Sequence, residues 1–257
     1  MSTLALAARD SSTMIRRQLK RLIRYPSMTI QLVATPVILL LVFVYVFGGT
    51  LGAGLGGGRG AYVDYVVPGI LLMAVATAAT GTAVMVASDM TEGIIARLRT
   101  MRIWRPSILT GHVVGAVIQQ LLGMAVLIGV ALVMGFDPKA TAVEWLATAG
   151  LLTLFVVAIT WLAVALGLKA QTPESASNAP MPLILLPFLG SGFVPTDSMP
   201  TALRWFAEYQ PFTPIMETVR GLLLGTPIGN SAAIATAWCV GIAVVSYLWA
   251  KNTFNKA

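Results

Sequence analysis

Long stretches without a charged residue are the feature of this sequence that most limits its fold. Several of them reach about 20 residues, the length that an α-helix needs to cross the hydrocarbon core of a bilayer. Hydrophobic residues make up 57% of the 257-residue chain and charged residues only 11%, with a mean hydropathy of +0.82. Soluble domains carry about 25% charged residues. The sequence therefore predicts an all-α integral membrane protein.

The charge-free stretches divide the chain into six predicted membrane spans, at residues 28–48, 65–87, 108–134, 145–168, 177–194 and 232–249. The loops on one predicted side of the membrane hold 13 Lys and Arg, and those on the other side hold 4. The basic set comprises residues 1–27, 88–107, 168–178 and 250–257. Because basic loops stay in the cytoplasm, we expect both termini inside, a six-helix domain at 28–250 and a cytoplasmic tail at 251–257. This distribution also accounts for the net charge of +7 without a nucleic-acid partner.

The first 27 residues have a basic and amphipathic pattern. A stripe of leucine and isoleucine lies opposite a basic cluster, which contains Arg16, Arg17, Lys20, Arg21 and Arg24. The pattern predicts a helix in the cytoplasmic headgroup layer, attracted by anionic lipid. The alternative is a solvated basic arm that only sets the orientation of the chain.

The inner loop between the second and third spans, residues 89–106, is too regular for a simple connection. Apolar residues recur there at helical spacing: Ile94, Ile95, Leu98 and Met101. Arginines fall mostly on another face: Arg99, Arg102 and Arg105. Asp89 or Thr91 is placed to cap such a helix, and Pro106 to end it. The pattern therefore predicts a short amphipathic helix with an apolar face that is available to contact another surface.

The region from the fifth span to the sixth departs from simple spanning helices. Pro180, Pro182 and Pro187 should kink or partly break the fifth span. The connection that follows holds two short helical patterns, separated by residues 210–214, and neither is long enough to span. We therefore expect an interfacial or re-entrant helical hairpin on the outer side, at 198–226. Its aromatic residues suit either access to lipid or interfacial packing; they are Trp205, Phe206, Tyr209 and Phe212.

The spans offer few polar side chains for chemistry. His112 and Gln119 fall near one side of the third span, where they either line a translocation path or join neighbouring helices. His112 is the only histidine and Cys239 the only cysteine, so a single chain has no disulfide and no multi-histidine or thiolate metal site. The glycine-rich stretch 48–60 predicts a flexible outer loop, and it lacks the Gly-Lys-Ser/Thr ending of a phosphate-binding loop. We therefore expect no cofactor in this chain.

Three stretches, taken in order, carry a family resemblance over nearly the whole chain. The first is the basic amphipathic start that runs into the first span. The second is DMTEGIIARLRTMRIWRPSILTGH (89–112), and the third is LPFLGSGFVPTDSMPTALRWFAEYQPFTPIMETVRGLLLG (186–225). Together they resemble the membrane subunit of ABC-2 type ATP-binding-cassette exporters, close to the daunorubicin-resistance permease branch.

The resemblance implies a role for each stretch. The inner loop would be a coupling helix seated in a cleft of a separate ATPase, through Glu92, Gly93, Ile94, Ile95, Leu98, Arg99, Met101 and Arg102. The start of the chain would be a connecting helix at the inner interface, through Arg16, Arg17 and Lys20. The outer hairpin would cap the exit, through Trp205, Phe206, Tyr209, Pro211, Phe212, Thr213, Pro214 and Arg220.

The resemblance also implies an assembly and a function. Two permeases, identical or closely related, would pair above two ATPase subunits that bind ATP and Mg. This chain would be a non-catalytic, multi-pass subunit of the bacterial cytoplasmic membrane, in contact with membrane lipid. It would export a hydrophobic or amphipathic substrate, and a drug-like compound, a lipid and a lipid-linked glycan all fit.

The inner loop departs from the family pattern at three positions. Ala96 stands where members commonly have an acidic residue, Arg102 lies near a usual proline, and His112 stands where a basic residue is common. The loop is therefore more basic than usual, which leaves open the ion pairs that would join it to the ATPase.

Two other classes of function fit the sequence less well. A transporter driven by an ion gradient should carry charged residues near the bilayer midplane and often inverted repeats, and neither is visible. An intramembrane lipid-modifying enzyme needs a nucleophile–base pair or metal ligands, but His112 and Cys239 lie in different predicted spans.

Overall fold

The computed structural model describes Arg16, Arg24 and residues 26–93 and 106–256. Arg16 and Arg24 are helical and exposed. Several residues with predicted roles lie outside the described residues: Arg17, Lys20, Ile94, Ile95, Leu98, Arg99, Met101 and Arg102. Their roles stay predictions.

Helices make up the fold throughout the described residues, which contain no β-strand and so confirm an all-α protein. In chain order the elements are α1 (Pro26–Leu41), a π-helical stretch (Val42–Phe47), α2 (Gly48–Gly54), α3 (Gly58–Thr91), α4 (Pro106–Val133), α5 (Ala142–Lys169), α6 (Pro173–Asn178), α7 (Met181–Leu185), a 3-10 turn (Thr196–Ser198), α8 (Thr201–Tyr209), α9 (Phe212–Leu224) and α10 (Ser231–Lys256).

Five helical stretches among the described residues are long and apolar enough to cross a membrane. They are Ile30–Gly54, Gly58–Thr91, Leu109–Val133, Ala142–Lys169 and Ser231–Asn255. Each coincides with one of the six predicted spans. The remaining one, at 177–194, is not a continuous helix.

Two of these helices extend beyond the predicted spans. Helix α3 has 34 residues and is therefore about 51 Å long, against about 30 Å for a hydrocarbon core. Its ends, which carry Arg59 and Asp89, consequently project past the apolar layer. Helix α10 continues to Lys256, so most of the predicted tail at 251–257 is the last part of a helix.

The glycine-rich stretch 48–60 was predicted to be a flexible loop, and the structure shows that this is wrong. Helix α2 occupies Gly48–Gly54, α3 begins at Gly58, and only residues 55–57 connect them. The two helices approach so closely that a Cβ atom on Gly52 would overlap the carbonyl oxygen of Gly58. The glycines therefore allow a tight reversal between two helices.

The proline-rich segment 177–194 is broken, as its prolines predict. It consists of the end of α6, the short helix α7 and a series of turns up to the 3-10 turn. Pro180 lies in the turn between the two helices, and Pro187 lies in the turns that follow α7. The backbone of residues 186–194 therefore lacks the regular hydrogen bonds of a helix.

Helices α3 and α5 form the centre of the fold, and α1, α4 and α10 surround them. Both central helices are largely buried, whereas the outer helices expose large apolar residues such as Ile38, Leu122 and Val245. The two central backbones meet closely, because a Cβ atom on Gly167 of α5 would lie 2.5 Å from the carbonyl oxygen of Ala83 on α3. Small residues at such a contact are typical of helix packing in membranes.

This contact predicts a stability difference between two glycines of the same helix. Gly167→Ala should lower the thermal unfolding midpoint in detergent, since overpacking costs about 1–3 kcal/mol. Gly150→Ala is the matched control, because a Cβ atom there meets nothing within 4 Å. We expect it to be neutral or stabilising, as alanine favours a helix by about 1 kcal/mol over glycine. Equal effects of the two substitutions would contradict the close contact.

Candidate functional sites at the inner loop and the outer hairpin

The start of the inner loop is the end of helix α3. Asp89 or Thr91 was predicted to cap the start of a loop helix. Both residues instead lie within α3, so neither caps a helix that starts there. The Thr91 hydroxyl instead donates to the carbonyl oxygens of Ala87 and Ser88 in its own helix, at 3.1 Å each. Glu92 is the C-terminal cap of α3, and Gly93 follows with a φ of +70°. A left-handed glycine at this position ends a helix, so the chain changes direction at Gly93.

The two helices that flank the inner loop meet through a buried polar pair. Asp89 of α3 and His112 of α4 bring Oδ2 and Nε2 to 3.1 Å, and the two residues are only 3% and 4% exposed. This contact places His112 near the N-terminal end of α4, against α3. Beside it lies an apolar cluster that joins the same ends of α3, α4, α5 and α10: Val86, Leu109, Val113, Val164, Ala165, Leu168, Ala250 and Phe254.

A second buried polar contact joins helices α4 and α5. The Gln120 amide nitrogen donates to the Thr160 hydroxyl at 3.2 Å, and both residues are buried. Gln119, which the sequence singled out, is only half-buried. Gln120 also borders a narrow cleft among α1, α3 and α4, whose other lining residues include Pro36, Ala78 and Met124. The cleft has room for water-sized molecules and not for a drug-sized ligand.

The first helix of the outer hairpin, α8, has an exposed aromatic side. Trp205 and Tyr209 are 66% and 65% exposed, and their rings lie 5.4 Å apart. On a neighbouring side, Arg204 pairs with Asp197 and Glu208 at 2.7 Å each. The hydrogen bond to Glu208 and the charge of Asp197 raise the pKa of Arg204. An aromatic side next to a charged one is typical of a helix at a membrane interface.

The second helix of the hairpin, α9, is packed into the fold. It begins at Phe212, so residues 212–214, which were predicted to separate the two helices, belong to α9. Phe212, Thr213 and Pro214 are buried, and the Phe212 ring meets Phe155 of α5 edge to face at 5.2 Å. The aromatic residues of the hairpin therefore divide, with Phe212 in the core and the others exposed.

Polar side chains of the hairpin bond the backbone of the broken segment. The Gln210 amide nitrogen donates to the Leu186 carbonyl oxygen and to the Thr213 hydroxyl, at 3.1 Å each. The Thr213 hydroxyl accepts the backbone N–H of Ser191 at 3.3 Å. The Arg220 guanidinium donates to the Ser191 carbonyl oxygen at 2.8 Å. Three side chains thus supply partners that a helix would have supplied within itself.

Arg220 also connects the broken segment to helix α3. It donates to the Tyr65 carbonyl oxygen at 3.1 Å, and its guanidinium carbon lies 3.9 Å from the centre of the Tyr65 ring. Within the described part of the chain, no carboxylate lies within ion-pair distance of it. Carbonyl oxygens and an aromatic face therefore hold this cation.

Glycines allow the broken segment to fit between the hairpin and α3. A Cβ atom on Gly190 would lie 2.6 Å from the Thr213 hydroxyl, and one on Gly69 of α3 would lie 2.5 Å from the Gly192 carbonyl oxygen. We call the broken segment 186–194 with its partners Gln210, Thr213 and Arg220 the outer clamp. The sequence singled out Thr213 and Arg220 but missed Gln210 and the glycines. The prolines of the broken segment were the signal that could have found them, because a broken helix leaves backbone groups that need hydrogen-bond partners.

Comparison with known proteins identifies one family whose model covers the inner loop and most of the outer hairpin. A family model described as "ABC-2 type transporter" matches residues 10–224. The chain is 27% identical over 240 residues to the daunorubicin resistance ABC transporter permease protein DrrB1 of Streptomyces coeruleorubidus, which covers 93% of this chain and 80% of that protein. It is 24% identical over 180 residues to the probable doxorubicin resistance ABC transporter permease protein DrrC of Mycobacterium tuberculosis, which covers 70% of this chain and 65% of that protein.

The outer clamp predicts that two arginines of the hairpin differ in importance for stability. Arg220→Met leaves the carbonyl oxygen of the buried Ser191 without this donor, which costs about 1–3 kcal/mol. Arg204→Met is the control, and exposed ion pairs like its own contribute only about 0–1 kcal/mol. Thermal unfolding in detergent should show a much larger loss for Arg220→Met, with Arg220→Lys in between. Similar losses for Arg220→Met and Arg204→Met would contradict the clamp.

Proposed function

This chain belongs to the ABC-2 type transporter family as a multi-pass permease subunit of the bacterial cytoplasmic membrane, and we propose that a separate ATPase drives it through the inner loop. The observation that carries the proposal is the family match over residues 10–224, which includes the inner loop and residues 198–224 of the outer hairpin. The five membrane-length helices support it. The family association with an ABC ATPase supplies the energy source, since the sequence has no Gly-Lys-Ser/Thr phosphate-binding loop.

The proposed assembly contains two permeases and two ATPase subunits, with ATP and Mg bound by the ATPases. The permeases are two copies of this chain or this chain and a close homologue. ATP binding moves the ATPases, the inner loop transmits that movement to α3 and α4, and the membrane helices open a path outward. The apolar side of the loop, with Ile94, Ile95 and Leu98, occupies a cleft of the ATPase, and its arginines face an acidic rim.

The proposed topology has six crossings with both termini in the cytoplasm. The five long helices account for five crossings, and the broken segment with α6 and α7 accounts for the sixth. The distribution of Lys and Arg supports this topology. The outer clamp supports it as well, because non-helical backbone lies at membrane depth only where protein groups bond it.

The proposed substrate is a hydrophobic or amphipathic drug-like compound. Two relatives carry names that refer to daunorubicin and doxorubicin resistance, and both names describe ABC transporter permeases. A lipid and a lipid-linked glycan are the competing classes. The exposed aromatic side of α8, with Trp205 and Tyr209, provides a surface near the outer interface where an apolar compound leaves the protein.

Co-purification tests the proposed partnership directly. The affinity-tagged chain, extracted from its native membrane, should carry along an ATPase, and the purified complex should hydrolyse ATP. Daunorubicin, a phospholipid and a lipid-linked glycan are then added separately, and the class that raises the hydrolysis rate identifies the substrate. Recovery of the chain without an ATPase, together with accumulation of drug driven by an ion gradient alone, would replace the proposal with a secondary transporter.

The inner loop predicts a variant that loses coupling but keeps its place in the membrane. Arg99→Glu together with Arg102→Glu should reduce ATP-driven export at least tenfold, because reversed charges oppose an acidic rim on the ATPase. Lys251→Glu with Lys256→Glu is the matched control, since it reverses two charges at the same membrane face but outside the loop. Export is measured in vesicles with equal amounts of inserted protein. Unchanged export by the Arg99 and Arg102 variant would count against the role of the loop.

A further inference from the structure

We infer that Asp89 and His112 are positioning residues that hold the inner ends of α3 and α4 together while the inner loop moves them. The inference rests on the proposed coupling to an ATPase and names the joint at the base of the loop. Asp89 precedes the end of α3 by a few residues, and His112 follows the start of α4 at Pro106. Their side chains approach to 3.1 Å between Oδ2 and Nε2.

The need for a joint follows from how α3 ends. Glu92 caps the end of α3, and Gly93 follows with a φ of +70°, so α3 does not continue as a helix through Gly93. A push on the loop that reaches α3 only through this glycine bends the chain there. A second connection, between α3 and α4, makes the two helix ends respond as one body. The Asp89–His112 pair lies where such a connection is required.

Apolar packing at the same level does not fix the two helices equally well. Val86, Leu109 and Val113 belong to an apolar cluster shared with α5 and α10. Apolar contacts are non-directional and remain favourable when one helix slides along another. A buried polar pair behaves differently, because the attraction between its two groups falls off with their separation in a medium of low dielectric constant. The pair therefore fixes the register of α3 against α4, which the apolar cluster does not.

Stability alone does not account for a buried pair at this place. Replacement of a buried ion pair by well-packed apolar residues is often neutral or stabilising. Asp89 and His112 are nonetheless almost completely buried at the point where the loop joins the membrane helices. Fixing one arrangement of neighbouring helices is the best-attested use of such buried polar groups. Here that arrangement joins the two arms of the loop.

Single substitutions test the joint in the complex of the chain with its co-purified ATPase. Asp89→Asn keeps the side-chain shape while it removes the charge, and His112→Gln replaces the imidazole by a neutral polar amide. We expect each to hydrolyse ATP within about twofold of the wild type but to export at least tenfold less daunorubicin per ATP. The double variant should export no less than either single variant, because the second change removes nothing further. Glu174→Gln, an exposed acid in α6, is the control and should export normally.

Chemical crosslinking separates a joint from a general loss of structure. The variant Asp89→Cys/His112→Cys, made with Cys239→Ala so that it holds no other cysteine, should be uncoupled when reduced. A short bifunctional methanethiosulfonate that links the two thiols should restore export per ATP at least fivefold, and reduction should abolish it again. The effect is measured on protein whose mass shows the link. A merely structural defect would not be reversed in this way.

The outcomes distinguish this inference from the function on which it rests. ATP-driven export by the wild type with unchanged export per ATP in folded Asp89→Asn and His112→Gln would overturn the joint and leave the permease function intact. Crosslinked protein that stays uncoupled would also overturn the joint. Failure of the wild-type complex to export with ATP would overturn both. Uncoupling by both single variants together with rescue by the crosslink supports the joint.

Discussion

Every backbone amide and carbonyl within a membrane needs a protein partner, because the hydrocarbon layer offers no water. The long helices meet this requirement within themselves, whereas the broken segment 186–194 does not. Gln210, Thr213 and Arg220 of the outer hairpin donate to or accept from its backbone. The hairpin therefore supports the broken segment. In this chain the element that follows the broken segment supplies hydrogen-bond partners for its backbone.

Helix α3 connects this outer clamp to the inner loop. Its Tyr65 carbonyl oxygen accepts a hydrogen bond from Arg220 near one end, and its Asp89 faces His112 near the other. The two residues are about 36 Å apart along a helix of 1.5 Å rise per residue. Close packing of Ala83 against Gly167 of α5 holds the helix in the centre of the fold. One stiff element therefore connects the outer clamp to the start of the inner loop, which are the regions that the proposed function assigns to substrate exit and to energy input.

The sequence predicted the elements whose signal is local, and it missed those that depend on contacts between distant residues. Apolar length was sufficient to locate five membrane helices, and the prolines were sufficient to predict the broken segment. The glycines at 48–60 led to a wrong prediction of a flexible loop, because glycine permits both flexibility and the close approach of two helices. Only the position of Gly58 against Gly52 shows that close approach applies here. Gln210 and Asp89 were not singled out for the contacts they make, because their partners Leu186 and His112 are set by the packing of separate helices.

The central claim is that an external ATPase moves this membrane domain. Accumulation of daunorubicin in inverted vesicles that contain only this chain and its co-purified ATPase tests that claim most directly. The account predicts uptake that begins on addition of ATP and Mg, persists when an uncoupler collapses the proton gradient, and is absent with a non-hydrolysable ATP analogue. Uptake that follows the proton gradient and ignores ATP would contradict it.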